Sequence, residues 1–167
     1  MTNKIRLEDI SIRTELQPGD MGYVTYMHGA FYKKEYNYSI NFELYVMQGL
    51  TEFRKNYQPD KDRVWIAEHE GKIVGFLLSM HREPQTAQLR YFILDASCRG
   101  IGLGQKLCNL YLDFVKEKGF KNVFLWTTDE LFAAAHIYKK MGFVLTEELS
   151  STSFGKLLKE QRYDLHL

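Results

Sequence analysis

With 167 residues, 22 Lys and Arg against 21 Asp and Glu, and 45% hydrophobic positions, the chain has the size and apolar content of one globular domain with its own core. A formal charge of +1 removes the usual electrostatic argument for nucleic acid or an anionic membrane as the main partner. The two cysteines, Cys98 and Cys108, are too few for a disulfide framework and ten residues apart, so a metal-free fold in a reducing, cytoplasmic setting is expected. No run approaches the roughly 20 apolar residues that span a bilayer, and acids follow closely on the N-terminus where a signal peptide needs an apolar stretch. A soluble protein is therefore expected. The three prolines mark turns rather than a linker, and no segment repeats, so a single domain over residues 1–167 is expected.

The chain opens with an alternating stretch, Ile10, Ile12 and Leu16, ended by the Pro18-Gly19-Asp20 turn. Asp20 is then a candidate N-cap for a helix carrying Val24, Met27 and Phe31 on one face. A second helix is predicted to start near Ser39 or Asn41, with Phe42, Tyr45, Val46, Gly49, Leu50 and Phe53 at three-and-four spacing, and to end before Pro59. The middle of the chain changes period. Val64 to Glu68 and Lys72 to Leu78 are β-rich runs joined by His69-Glu70-Gly71, a hairpin signal, and Gln88 to Leu94 completes an antiparallel meander after Pro84. An amphipathic helix follows with Leu103, Leu107, Leu110, Tyr111, Phe114 and Val115, closed by Lys116, Lys118 and Gly119. A buried strand from Asn122 to Trp126, a helix from about Glu130 to Met141 and two strands near Phe143 to Leu149 and Gln161 to Leu167 end the series. The predicted order is β-α-α-β-β-β-α-β-α-β-β, a mixed α/β arrangement.

The most informative segment is Arg99-Gly100-Ile101-Gly102-Leu103-Gly104, placed where a strand ends and a helix begins. The first N–H groups of a helix lack internal acceptors and carry the positive end of its dipole, and glycines let a phosphate approach them. The alternative reading is a flexible connection and nothing more. A nucleoside triphosphate loop would need Gly-Lys-Ser or Gly-Lys-Thr, whereas Gly104 precedes Gln105 and Lys106. A dinucleotide fold would need G-x-G-x-x-G in a parallel βαβ unit, and here G-x-G-x-G follows a meander.

Arg99, Gly102 and Gly104 fit the acyl-CoA loop of the GNAT family of N-acetyltransferases, and Phe92 to Gly104 as a whole resembles that family's fourth strand and following helix. Ile137-Tyr138-Lys139-Lys140-Met141-Gly142-Phe143 is similar to its second, C-terminal block. More narrowly, Leu125 to Asp129, Ser153-Phe154-Gly155, His28-Gly29 and Glu35-Tyr36 resemble the acetyltransferase half of bacterial proteins that also carry a MarR-type regulator. The resemblance implies an α/β fold with a mixed central sheet of about seven strands flanked by about four helices. It implies acetyl-CoA as co-substrate and an amine acceptor in direct ternary-complex transfer, with a homodimer left open. It places the pantetheine arm along Phe92, Ile93 and Leu94, and the pyrophosphate over Arg99, Gly100, Ile101, Gly102, Leu103, Gly104 and Gln105. Tyr138 corresponds to the tyrosine that donates to the departing sulfur, while the family's fifth-strand glutamate is replaced by Trp126 and its helix asparagine by Leu131. Glu35, between Tyr32 and Tyr36, is the candidate base, with Glu68 and His81 as water-mediated substitutes. The dense aromatics from Tyr23 to Tyr57 read first as helix packing and second as a cation–π slot for an amine. His28, His69, His81, His136 and His166 lack ligand spacing, so no metal is expected. The competing reading of the whole chain is a non-catalytic CoA-binding or sensing module acting through a protein partner.

Overall fold

The computed structural model describes residues 4–167. Its elements follow the predicted order: β1 (Ser11–Arg13), α1 (Asp20–Tyr36), α2 (Ile40–Lys55), β2 (Arg63–His69), β3 (Lys72–Glu83), β4 (Thr86–Leu94), α3 (Leu103–Glu117), β5 (Asn122–Thr128), α4 (Phe132–Lys140), β6 (Val144–Ser151) and β7 (Leu158–His166). The seven strands form one sheet in the order β1-β2-β3-β4-β5-β7-β6. Every neighbouring pair is antiparallel except β4 with β5, the one pair that needs a helical crossover, which α3 supplies.

The sheet separates two cores. On one side Leu77, Leu107, Tyr111, Phe114, Val123 and Leu125 pack under α3. On the other Val24, Val46, Leu50, Phe53, Ile66 and Phe76 pack under α1 and α2. β3 serves both, which explains why its sequence is continuously apolar from Ile73 to Leu78 but for Gly75 instead of alternating.

Two details of α1 and α2 differ from the sequence expectation or sharpen it. Asp20 does not cap α1; Gly19, at φ +98°, holds the N-cap position, and Asp20 becomes the first helical residue. Its carboxylate is engaged outside the helix, accepting from Gln17 N at 2.7 Å and pairing with the Arg13 guanidinium at 2.7 and 2.8 Å; burial raises the Asp20 pKa, but these bonds outweigh that and hold it below the usual value. α2 starts where expected, near Ser39, which is its N-cap, its Oγ accepting from Asn41 N at 3.3 Å.

Gly49, inside α2, faces Tyr91, and an added Cβ would collide with the Tyr91 hydroxyl and reach 2.8 Å from the Arg90 guanidinium. Gly→Ala in an exposed helix interior stabilises by up to about 1 kcal/mol. Here overpacking reverses the sign: Gly49→Ala is expected to destabilise by about 1 kcal/mol or more, read as a lower urea midpoint at unchanged m-value.

Candidate active site

The parallel pair does not run the length of its strands. Pairing of β4 with β5 covers Thr86↔Asn122 to Gln88↔Phe124 and then stops, so the two strands part like the arms of a V. The cause of β4's departure is visible in its other ladder: Phe76↔Ile93 and Leu78↔Arg90 leave Tyr91 and Phe92 opposite the single residue Leu77. This is a bulge, and Tyr91 sits at φ +55°, an uncommon conformation for a bulky side chain. Its consequence is local re-aiming. Arg90 and Tyr91, adjacent in sequence, both face the α2 side, with the Arg90 Cζ 5.2 Å from the Tyr45 ring centre and 4.6 Å from that of Tyr91.

The glycine turn lies at the C-terminal end of the β4 arm. Gly100 and Gly102 have φ +74° and +89°, and a Cβ at Gly100 would meet nothing, so the turn presents bare backbone to the outside. Lys106 N, bonded to Gly102 O at 3.0 Å, makes the first bond of α3, which leaves the N–H groups of Leu103, Gly104 and Gln105 as first-turn donors. Leu103 and Gly104 are buried and anchor the turn: a Cβ on Gly104 would press against Leu94, Phe92 and Ile137. Arg99 turns the other way, its Cζ 4.8 Å from the Phe31 ring centre, and ties the turn to α1. Ile93 is buried in the α1/α2 core, while Leu94 and Ile101 pack toward α3. The open N-terminus of α3, reached past the exposed Gly100 and Gly102 and floored by buried apolar residues, fits a diphosphate approaching from outside.

Between the arms of the V lies a cavity of about 310 Å³. Phe92 lines the β4 side, Trp126 and Thr127 the β5 side, and Leu131, Ala134 and Tyr138 the α4 side. The Tyr138 backbone is held by the end of its own helix, where Phe143 N bonds Tyr138 O and Gly142 N bonds Lys139 O, both at 3.0 Å, with Gly142 at φ +96°. This paired closure explains in physical terms why Gly-Phe must follow Tyr138 at that spacing. Burial, reinforced by the neighbouring Tyr32 phenol, pushes the Tyr138 pKa up, so it is a neutral phenol able to donate.

Aromatic residues from α1, α2, the connection between them and the β6–β7 connection roof the cavity. Tyr32, Tyr38, Phe42 and Tyr45 line it with Phe154, whose ring centre is 5.0 Å from Phe42 and 5.4 Å from Tyr38. The packing reading of these aromatics is thus incomplete, since the same rings build a core and face a cavity. Tyr38 is pinned to the β5 end by a 2.7 Å hydrogen bond with Thr128.

The candidate base does not join them. Glu35 is exposed near the end of α1 and lies outside the cavity lining, while its neighbour Tyr36 turns inward to 5.7 Å from Tyr32. Glu68 and His81 are also elsewhere, and partnered. Glu68 accepts from Arg13 Nε at 2.9 Å, and His81 Nδ1 donates to Asp62 at 2.8 Å. Among the described residues no group of three or more His, Cys, Asp or Glu side chains is arranged to hold a metal, and no helix is long and apolar enough to cross a membrane.

Sequence reasoning did not place six polar residues of the cavity: His28, Gln88, Arg90, Thr127, Thr128 and Glu160. A signal existed for Arg90, a cation inside the apolar run Leu89 to Leu94. For His28 the only signal was its place in the His28-Gly29 resemblance, which says nothing of what covers it. It is 2% exposed, its Nδ1 donates to Val24 O at 2.8 Å, and its Nε2 therefore carries the lone pair. Burial pushes its pKa down to about 4. A lowered folded-state value contributes stability that is full above the unfolded pKa of about 6.5 and is lost as pH falls toward the folded one. Wild-type stability is therefore expected to drop by on the order of 3 kcal/mol more than that of His28→Gln between about pH 7 and about pH 4, read from urea midpoints.

Residues 30–143 match the sequence profile described as the acetyltransferase (GNAT) family. N-acetyltransferase family 8 member 2 of Rattus norvegicus is 31% identical over 102 residues, covering 58% of this chain and 45% of that protein. The chain spans about half the length of the curated relatives it matches. Among solved structures, an acetyltransferase from Streptococcus agalactiae superposes with a TM-score of 0.76 at 21% identity over 96% of this chain and 99% of the other. Spermidine N-acetyltransferase from Vibrio cholerae, in complex with CoA and spermine, superposes with a TM-score of 0.68 at 19% identity over 95% and 96%. At these identities the structural likeness speaks to the fold: a seven-stranded mixed sheet with four helices, as in those proteins. With its opened β4–β5 pair, its glycine turn and the profile match over most of its length, the chain belongs to the acetyltransferase (GNAT) family.

Proposed function

We propose that this chain, acting as one unit over residues 1–167, moves the acetyl group of acetyl-CoA to a primary amine by direct attack in a ternary complex. The observation that carries the reading is the cavity between the parted strands, which has the donor turn of α3 beside it and Tyr138 in its wall. Acetyl-CoA, when bound, supplies a thioester carbon open to attack by a neutral amine. The backbone of Phe92, Ile93 and Leu94, which faces the gap left by β5, holds the pantetheine arm. The N–H groups from Gly100 to Gln105 receive the pyrophosphate. As the C–N bond forms and the C–S bond breaks, nitrogen gives up one proton and sulfur takes one. Tyr138 gives its phenolic proton to the sulfur and is restored by the proton the amine releases. The aromatic roof excludes water and orients the acceptor.

Kinship with the acetyltransferase half of MarR-linked proteins, on Leu125 to Asp129 and Ser153 to Gly155, forms part of the proposal. So does a reducing, cytoplasmic setting, which suits the two free and buried thiols of Cys98 and Cys108. The test couples two measurements on one preparation: calorimetry of acetyl-CoA binding, and release of free thiol from acetyl-CoA with a panel of primary amines. Saturable binding with amine-dependent thiol release is expected. Binding without release for any amine points to the sensing module instead.

A further inference from the structure

We infer that the acceptor is a zwitterion, an α-amino acid with an aromatic or branched apolar side chain, and that Arg90 receives its carboxylate. This rests on the proposed acetyl transfer and names the acceptor class for the same cavity.

Arg90 is an unusual cation. Its side chain is only 10% exposed, its Nε is fully buried with no hydrogen-bond partner, and it lines the cavity. Its single carboxylate contact is long, Nη1 to Glu52 Oε2 at 3.5 Å, and Glu52 is itself 41% exposed and shared with Arg82. One distant, half-solvated, divided counter-charge is poor compensation for burying a guanidinium with five N–H donors. The Tyr45 and Tyr91 rings shield it from water and hold it in place, but they offer no hydrogen-bond acceptor to its N–H groups. The cation is therefore pre-positioned and under-satisfied, as a carboxylate-binding arginine is before its ligand arrives.

The rest of the lining sets the remaining chemistry of the acceptor. Among the described residues the only other formally charged side chain in the cavity is Glu160, so the lining offers one cation and one anion. A zwitterion matches that pair, whereas a polyamine would bring further positive charge to Arg90. The cluster of rings formed by Tyr32, Tyr38, Phe42, Tyr45 and Phe154 favours an apolar side chain on the acceptor. The amine belongs on the side of Phe92 and Thr127, where the strands part. Arg90, two residues before Phe92 on the same strand, is near enough to fix its orientation through the neighbouring carboxylate.

The test uses matched acceptors that share an apolar group and a primary amine and differ at the acid: phenylalanine against phenylalaninamide and phenethylamine, and leucine against leucinamide, with spermidine added. The amides have the less basic amines and so the larger neutral fraction near neutrality, which biases the chemistry against the expected result. For the wild-type protein kcat/KM is expected to be at least 100-fold higher for phenylalanine than for phenethylamine. In Arg90→Gln that preference should shrink to a few-fold with acetyl-CoA affinity unchanged. Arg90→Lys, which keeps the charge and loses the planar fork, should fall between them and serves if Arg90→Gln does not fold. A second arm, independent of turnover, is calorimetry of N-acetylphenylalanine on the CoA-loaded protein, where saturable binding weakened at least tenfold by Arg90→Gln is expected. Equal or better use of phenylalaninamide, phenethylamine or spermidine would overturn the inference. So would a carboxylate preference that survives Arg90→Gln, or failure of the acids to be either turned over or bound as product. Loss of acetyl-CoA binding in the wild-type protein would instead strike the acetyl-transfer reading itself.

Discussion

Tyr138→Phe is expected to lower kcat about 100-fold, equivalent to about 2.7 kcal/mol of transition-state stabilisation, and to leave acetyl-CoA affinity and melting temperature nearly unchanged. A thiol of ordinary pKa, about 8.5, can leave partly unprotonated at neutral pH, so a positioned donor accelerates the step without being absolutely required. The structure makes the substitution a clean probe. Tyr138 lines the cavity, its phenol is kept neutral by burial, and no hydrogen bond within the protein contributes to its pKa. Its ring, 6.2 Å from Phe143 and 6.3 Å from Tyr163, carries the packing, and phenylalanine retains that ring. Stopped-flow turnover and a thermal melt on the same sample decide the matter. A variant that turns over at the wild-type rate per folded molecule, yet melts well below it, would assign the hydroxyl to folding alone.

The second large effect is expected at the glycine turn. Gly102→Val should weaken acetyl-CoA binding tenfold or more, about 1.4 kcal/mol, by calorimetry. Space is not the obstacle, since the atom nearest to an added Cβ is Leu7 Cδ2 at an ordinary 3.7 Å. The obstacle is the backbone. At φ +89° a β-branched residue is strained, and relief of that strain rotates the first donors of α3 away from the position where the phosphates must sit. Gly100→Ala, in open space at φ +74°, serves as a graded companion with a smaller loss. Unchanged affinity in a folded Gly102→Val protein would remove the donor turn from the binding site.

Legibility of the site in the sequence tracked how local each signal was. The turn at Gly100 to Gly104 and the Tyr138-to-Phe143 block are contiguous, and each owes its spacing to backbone geometry within one turn of a helix: the open N-terminus of α3 and the paired closure of α4. Glu35 shows the opposite case. A glutamate between two tyrosines near a helix end has no local feature that distinguishes an inward carboxylate from a solvated one, and the packing of Tyr36 against Tyr32 decided that it faces outward. Asp20 was misassigned as a cap for a related reason, because its carboxylate is taken up by Gln17 N in the preceding turn and by Arg13, seven residues away.

By itself the sequence determined the order of elements, the place of the glycine turn at the start of α3 and the place of Tyr138 on the last helix, because hydrophobic period, glycine placement and helix termini are properties of neighbouring residues. Only the tertiary structure decided that β4 leaves β5 after Gln88, that a bulge at Tyr91 turns Arg90 and Tyr91 toward α2, and that His28, Arg90 and Glu160 meet in one cavity. Those facts depend on strand register, on burial and on polar groups brought together from positions up to 132 residues apart, His28 and Glu160 at the extremes, and no local pattern in the chain encodes such distances.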